Sequence, residues 1–188
     1  MTPLWKRLVG AVVVLLLLGL IAVLGHGLFS VGRRGPAGTS DSGAESAGAE
    51  YRTVTLYFAD PERGGLAAER REIKVGGDRS TLVAATLEAL AGGPLTRLEP
   101  TLPRGARLLN LFIDPQGTVY VDFSDDLREG LAGASLTGET LFLTSLARTL
   151  RANFSGLKTV QLLVEGNPVS ELGGHFDLAR PLVLAEWD

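Results

Sequence analysis

The sequence predicts an α+β fold: a small mixed sheet with two amphipathic helices packed on one face, preceded by one transmembrane helix. Three observations predict it. Short segments with period-two apolar alternation recur between residues 53 and 172, two longer segments among them carry apolar residues at helical spacing, and an uninterrupted apolar run lies near the N-terminus. There is no internal repeat, and no regular strand–helix alternation long enough for a doubly wound nucleotide fold.

Residues 1–7 read as a short cytoplasmic N-terminus. From Leu8 to Leu24 no side chain is charged or strongly polar, and the apolar stretch reaches Phe29 past His26. A bilayer span needs ~20 residues, so residues 8–29 are expected to form an uncleaved anchor. The alternative is a signal peptide, with Lys6 and Arg7 as its basic flank and Gly25-His26-Gly27 as its small-residue site. The apolar run exceeds the about 7–15 residues usual for a signal-peptide core, which favours the anchor. Lys6 and Arg7 against Arg33 and Arg34 give a slight charge preference for a cytoplasmic N-terminus. Either reading sends the remainder across the membrane. Residues 30–50 form a flexible linker, because the small, polar and turn-forming residues of GRRGPAGTSDSGAESAGAE bury too little apolar surface to offset ordering entropy. Such a tether holds the folded part on the order of 25 Å from the bilayer.

Residues 51–188 form the folded domain. Thr53–Ala59 alternates Val54, Leu56 and Phe58 on one face and stops at Asp60-Pro61, which marks a strand. Glu69–Val75 is a second strand at an edge, its charges blunting the exposed pairing groups. Ser80–Ala91 is a helix with Asp78 and Ser80 as candidate N-caps, Val83, Leu87 and Leu90 on one face, and Gly92-Gly93-Pro94 as terminator. Leu108–Ile113 and Thr118–Phe123 flank Asp114-Pro115-Gln116-Gly117 as a hairpin. Thr137–Phe154 is the second helix, with Thr137 as N-cap, Glu139 in its first turn and Arg148 and Arg151 toward its end. Lys158–Val164 is a strand, turned by Glu165-Gly166-Asn167-Pro168 into a short segment ending near Leu172.

Composition removes several function classes. A chain of 188 residues with 45% hydrophobic content has room for one ordinary folded domain beside its N-terminal segments. It has no cysteine, which excludes disulfides, thiol nucleophiles, iron–sulfur clusters and a lipid-bearing cysteine, and its two histidines are too few for a histidine-rich zinc site. Residues 51–188 hold 14 basic and 18 acidic side chains. That balance lacks the basic stripe of a nucleic-acid-binding surface. No glycine motif matches a phosphate cradle.

Asp114, Asp122, Asp125 and Asp126 make up the carboxylate cluster. A glycan- or peptidoglycan-directed hydrolase would pair Asp122 with Asp125 for acid–base work. The structural alternative is favoured: Asp125 and Asp126 begin a short helix, SDDLREG, where first-turn acids are stabilising. The spacing of a calcium loop is absent. His175 could serve Ser124 or Ser170 as a base with Asp177 behind it, but no nucleophile elbow exists, and a histidine beside Gly173-Gly174 reads as a turn residue bonded to backbone or a carboxylate. Tyr57, Tyr120 and Phe123 could form a sugar-stacking surface. Phe123 shares its face with Val119 and Val121 and belongs to the core, whereas Tyr120 and Asp122 point the other way.

In order, Leu-Ala-Gly-Gly-Pro at 90–94, Pro-Thr-Leu-Pro-Arg-Gly-Ala at 100–106, Val-Tyr-Val-Asp-Phe-Ser at 119–124 and Gly-Gly-His-Phe-Asp-Leu-Ala-Arg-Pro-Leu at 173–182 resemble the GerMN domain of sporulation and spore germination. The resemblance covers residues 52–184 in a single copy. It implies a small α+β fold like that of ring-building motifs, an extracytoplasmic place and no catalytic residues. The expected role is a membrane-tethered, non-enzymatic binding or assembly domain on the outer side of a bacterial cytoplasmic membrane. Its expected partners are the membrane through residues 8–29, envelope proteins or peptidoglycan, and a further copy through an edge strand; nucleic acid and cofactors are not expected. The candidate interaction surface comprises Tyr120, Asp122, Asp125, Asp126 and His175.

Overall fold

The computed structural model describes residues 50–187, so the predicted anchor at 8–29 and all but the last residue of the predicted linker lie outside the described residues. Among the described residues no helix is long and apolar enough to cross a membrane. Strand β1 (Glu50–Ala59) pairs antiparallel with β2 (Leu66–Val75), from Glu50 opposite Val75 to Ala59 opposite Leu66. Val54, Leu56 and Phe58 of β1 are buried, as the alternation predicts. On β2, Glu69, Ile73 and Val75 are buried, whereas Ala68, Arg70, Glu72 and Lys74 are exposed.

Helix α1 (Arg79–Ala91) starts at Asp78, whose carboxylate accepts from Thr81 N–H at 3.0 Å, and buries Val83, Leu87 and Leu90. A hairpin of β3 (Leu108–Ile113) and β4 (Thr118–Phe123) follows, then a short helix α2 (Asp126–Leu131) and the long helix α3 (Leu136–Asn153). Ser135, not Thr137, caps α3, because its hydroxyl accepts from Gly138 N–H while Thr137 is already inside the first turn. Strand β5 (Thr159–Val164) lies parallel to β4. Strands β6 (Asn167–Pro168) and β7 (Leu182–Val183) take the two ends of its other edge, and a 3-10 turn at Leu184–Glu186 follows.

The expected single sheet with two helices is thus two sheets with three helices. The separation has a local cause. Antiparallel strands expose the N–H and C=O of alternate residues on each edge, and buried groups of this kind need partners. The second edge of β1 finds them on a helix instead of a strand. Asn153 accepts from Thr55 N–H at 2.9 Å and donates to Thr55 O at 2.7 Å. Thr149 Oγ1 accepts from Tyr57 N–H, and Ser145 Oγ donates to Tyr57 O. Ser145, Thr149 and Asn153 stand four residues apart, so one stripe of α3 runs along the strand. Ala59 completes the edge with two bonds to Glu99.

On the five-stranded sheet, Val119, Val121 and Phe123 lie opposite Val160, Leu162 and Val164 on one buried face. These six join one core with Leu143, Leu146 and Leu150 of α3 and Val83, Leu87 and Leu90 of α1. Glu69 clamps β2 to the segment that follows α1. Its carboxylate takes the Arg71 guanidinium, the N–H groups of Leu95 and Thr96, and the Thr96 hydroxyl. Arg71 also donates to Ala89 O and Gly93 O, which fixes the end of α1. The charges of β2 therefore do not all blunt its edge: Glu69 and Arg71 point inward, and Arg70, Glu72 and Lys74 face out.

Two consequences are measurable. Asn153→Ala leaves the Thr55 backbone groups without partners and should lower the unfolding free energy by about 2 kcal/mol, read from urea denaturation. For Glu69, burial pushes the carboxyl up, but the bonds from Arg71, Thr96 and Leu95 outweigh it and hold the group below its ordinary value of 4.5. A folded value below the unfolded one contributes stability above about pH 4.5 that is lost as pH falls through the folded value. Melting temperature against pH should therefore drop less steeply below pH 4.5 in Glu69→Gln than in the parent, from a lower plateau at neutral pH.

Candidate functional site

Strand alternation places Tyr120 and Asp122 on the face of β4 opposite the core, and the pairing brings Phe112 and Asn110 of β3 beside them. Leu163 of β5 lies directly across from Asp122. With Leu111 these residues line a groove of about 330 Å³. Phe112 is 62% exposed, and its ring centroid lies 6.0 Å from that of Tyr120 with the planes tilted by 40°. The C-terminal segment covers the same face at Gln161, whose Nε2 donates to Leu178 O at 3.2 Å. The remaining opening is aromatic and aliphatic at its rim and polar at its floor.

That floor is Asp122, only 6% exposed. One carboxylate oxygen accepts from Gly166 N–H at 2.8 Å and the other from Asn110 Nδ2 at 3.4 Å. The first bond fixes the turn between β5 and β6, where Glu165 and Gly166 both have positive φ, 50° and 76°. Such a turn favours glycine at its second position. Asp122 is thus held by the fold at both oxygens.

The other acids go elsewhere. Asp125 accepts from Arg128 at 2.6 Å, and its N–H donates to Glu165. Asp125 and Asp126 begin α2 as expected, with Asp126 in its first turn; Asp125 stands at the N-cap position but makes no side-chain bond to the helix N–H groups, its carboxylate being turned to Arg128. Asp126 accepts from the Ser124 hydroxyl at 2.8 Å and lines a separate groove of about 650 Å³ with Glu88, Gly92, Gly105 and Arg107. Asp114 accepts from Thr118 and Gln116 N–H groups in the hairpin turn, and the Thr118 bond above all holds its carboxyl below the usual range. Neither groove is lined by both Asp122 and Asp125. Among the described residues no group of three or more His, Cys, Asp or Glu is placed to hold a metal ion.

His175 belongs to a third place. Its Nδ1 donates to Glu139 Oε2 at 2.9 Å, and Glu139, fully buried in the first turn of α3, also accepts from the N–H groups of His175 and Gly173. A Cβ on Gly173 would stand 2.5 Å from Glu139 Oε2, so a larger residue there would have to displace the carboxylate. Neither Ser124 nor Ser170 bonds the imidazole: the Ser124 hydroxyl serves Asp126 and Arg107 N–H. Of the sugar-stacking set, Tyr57 lies beside Arg148 of α3 and Phe123 is buried, so Tyr120 is the member left on the open face and Phe112 its partner.

Glu139 sets the size of two effects. Glu139→Ala removes three bonds at a buried position and should destabilise the domain by about 3 kcal/mol, whereas His175→Ala removes one and should lower stability by about 1 kcal/mol. Thermal and urea unfolding of the two variants check that order.

The sporulation and spore germination family, Germane, matches residues 55–170 of the chain. A putative lipoprotein from Clostridium perfringens is 26% identical, with a TM-score of 0.51 over 73% of this chain and 89% of that one. The tandem GerMN domains of the sporulation protein GerM from Bacillus subtilis align with a TM-score of 0.59 at 24% identity, over 73% of this chain and 48% of that one. The first GerMN domain of the same protein aligns with a TM-score of 0.54 at 24% identity, over 70% of this chain and 97% of that one. No curated protein matches. A family match over more than half of the chain, on a mixed fold of two sheets and three helices shared with GerMN domains, shows that the chain belongs to the Germane family of sporulation and spore germination domains.

Proposed function

We propose that this chain is a non-enzymatic binding or assembly module of the bacterial envelope, held on the outer side of the cytoplasmic membrane by residues 8–29. The observation that carries the reading is the pairing of an open face with occupied acids. Phe112, Tyr120 and Leu163 leave an apolar surface uncovered on a sheet whose opposite face is sealed. Asp122 and Asp125 line no common groove, and Asp122, Asp125 and Asp126 each accept a bond from the chain's own groups. An aromatic rim over a polar floor fits a protein partner or a glycan, which offer apolar surface and hydrogen-bonding groups together.

The membrane attachment draws support from the C. perfringens match, described as a putative lipoprotein. This chain has no cysteine to carry a lipid, and the apolar run from Leu8 to Leu24 takes that place in the proposal.

A photo-crosslinking residue at position 112 of the full chain, in its own cells, tests the reading, with residues 1–50 alone as control. Envelope proteins or peptidoglycan fragments should be captured by the full chain only, and Tyr120→Ala should reduce the yield. Capture no greater than the control would remove the binding module. Peptidoglycan turnover by the purified full chain that is lost in Asp122→Asn, with folding retained, would establish the hydrolase instead.

A further inference from the structure

We propose that a second copy of this chain docks on the open edge of β2, forming a two-fold antiparallel strand pair in which Arg70 of each copy faces Glu72 of the other. The backbone supplies the first half of the argument. Thr55 and Tyr57 direct their N–H and C=O groups at α3, so their partners across the hairpin, Arg70 and Ala68, form non-hydrogen-bonded pairs with them. In such pairs the groups of both residues point away from each other. The N–H and C=O of Ala68 and Arg70, and by alternation those of Glu72 and Lys74, therefore face outward. Among the described residues no strand other than β1 pairs with β2. The first edge of this hairpin is closed by a helix and the second is open, a template for strand addition.

The side chains on that row select the occupant. Ala68, Arg70, Glu72 and Lys74 are exposed, and none of the three charged residues has an ion-pair partner among the described residues. A strand added antiparallel from a second copy has four registers that overlap most of β2 and keep the outward groups matched. One, centred on Glu69, sets Ala68 against Arg70 and Leu66 against Glu72 and pairs no opposite charges; one sets Arg70 against Arg70, and another sets Glu72 against Glu72. The register between them sets Arg70 against Glu72 twice and Ala68 against Lys74 twice. Opposite charges directly across strands stabilise a pair and like charges oppose it. The same residues that blunt the edge toward an uncharged or singly charged strand thus admit its own sequence in one register. Arg71 falls on the two-fold axis, but its guanidinium is turned inward to Glu69 and to the carbonyls of Ala89 and Gly93. The contact is isologous and closes on itself, so it yields a dimer and does not propagate.

The absence of native cysteine makes the register directly readable. In the proposed pair, residues 68 and 74 of opposing copies have Cα atoms about 5.5 Å apart, inside the range a disulfide spans. Within one copy they are separated by about 20 Å of strand, so any disulfide is intermolecular. The full chain carrying A68C and K74C, oxidised in native membranes, should give a covalent dimer. A68C/E72C and R70C/K74C, which match the neighbouring registers, should give only a trace. In the A68C/K74C background, Arg70→Glu should abolish the dimer and Arg70→Glu with Glu72→Arg should restore it. All substituted side chains are exposed, and unchanged melting temperatures confirm folding. A dimer yield from A68C/K74C no higher than from the two neighbouring pairs, or one indifferent to Arg70→Glu, overturns the proposal.

Discussion

The second edge of β1 is the constraint on which the arrangement depends. A strand of ten residues with one partner leaves alternate peptide groups in need of bonds, and the usual remedy is another strand. Here Ser145, Thr149 and Asn153 supply the bonds from a helix. Because these residues sit at four-residue spacing, the helix must run along the strand, and its other faces are then committed to the core through Leu143, Leu146 and Leu150. The polar stripe and the apolar face of α3 are one device. It joins a two-stranded hairpin to a domain whose main sheet it never enters, and it leaves β2 as the hairpin's unpaired side.

A second regularity lies in the use of acids. Glu69, Glu139 and Asp122 are all buried, and each accepts a backbone N–H from a loop or turn distant in sequence. A carboxylate has several acceptor sites and no donor when ionised, which suits it to gathering the unpaired N–H groups of irregular backbone. Glu69 gathers the loop after α1, Glu139 the Gly173–His175 loop, and Asp122 the turn at Gly166. The acidic composition of the domain is thus partly consumed in shaping connections that have no ladder of their own.

Legibility followed the strength of the local signal. Helix α1 and the β3–β4 hairpin were readable because Asp78, Gly92-Gly93 and Asp114-Pro115-Gln116-Gly117 punctuate them, and their observed bounds agree within a residue. The division into two sheets was not readable. Ser145, Thr149 and Asn153 look in sequence like one side of a solvated helix, and only the strand they meet gives them a different meaning. Phe112 was missed because LLNLFI is apolar on both phases of the alternation, so period two does not say which residues face out. Tyr120 and Asp122 were readable as a pair because Val119, Val121 and Phe123 declare the opposite face. Glu139 was legible as a first-turn acid, but the pairing with Gly173 and His175 spans more than thirty residues and leaves no local trace.

The open face and the fold overlap at Asp122 and separate at Phe112. Asp122 floors the groove and also holds the Gly166 turn, so replacing it perturbs the surface and the scaffold together. Phe112 stands mostly in solvent at the rim, its ring against that of Tyr120, so its loss alters the surface while the scaffold persists. Phe112 lies directly across from Tyr120, so its ring serves the sheet as a cross-strand aromatic pair and also presents exposed apolar surface. Tyr51, Leu95, Leu109, Leu136 and Val183 are exposed as well, and what sets Phe112 apart is that it stands with Tyr120, Leu163 and the buried Asp122 around one groove.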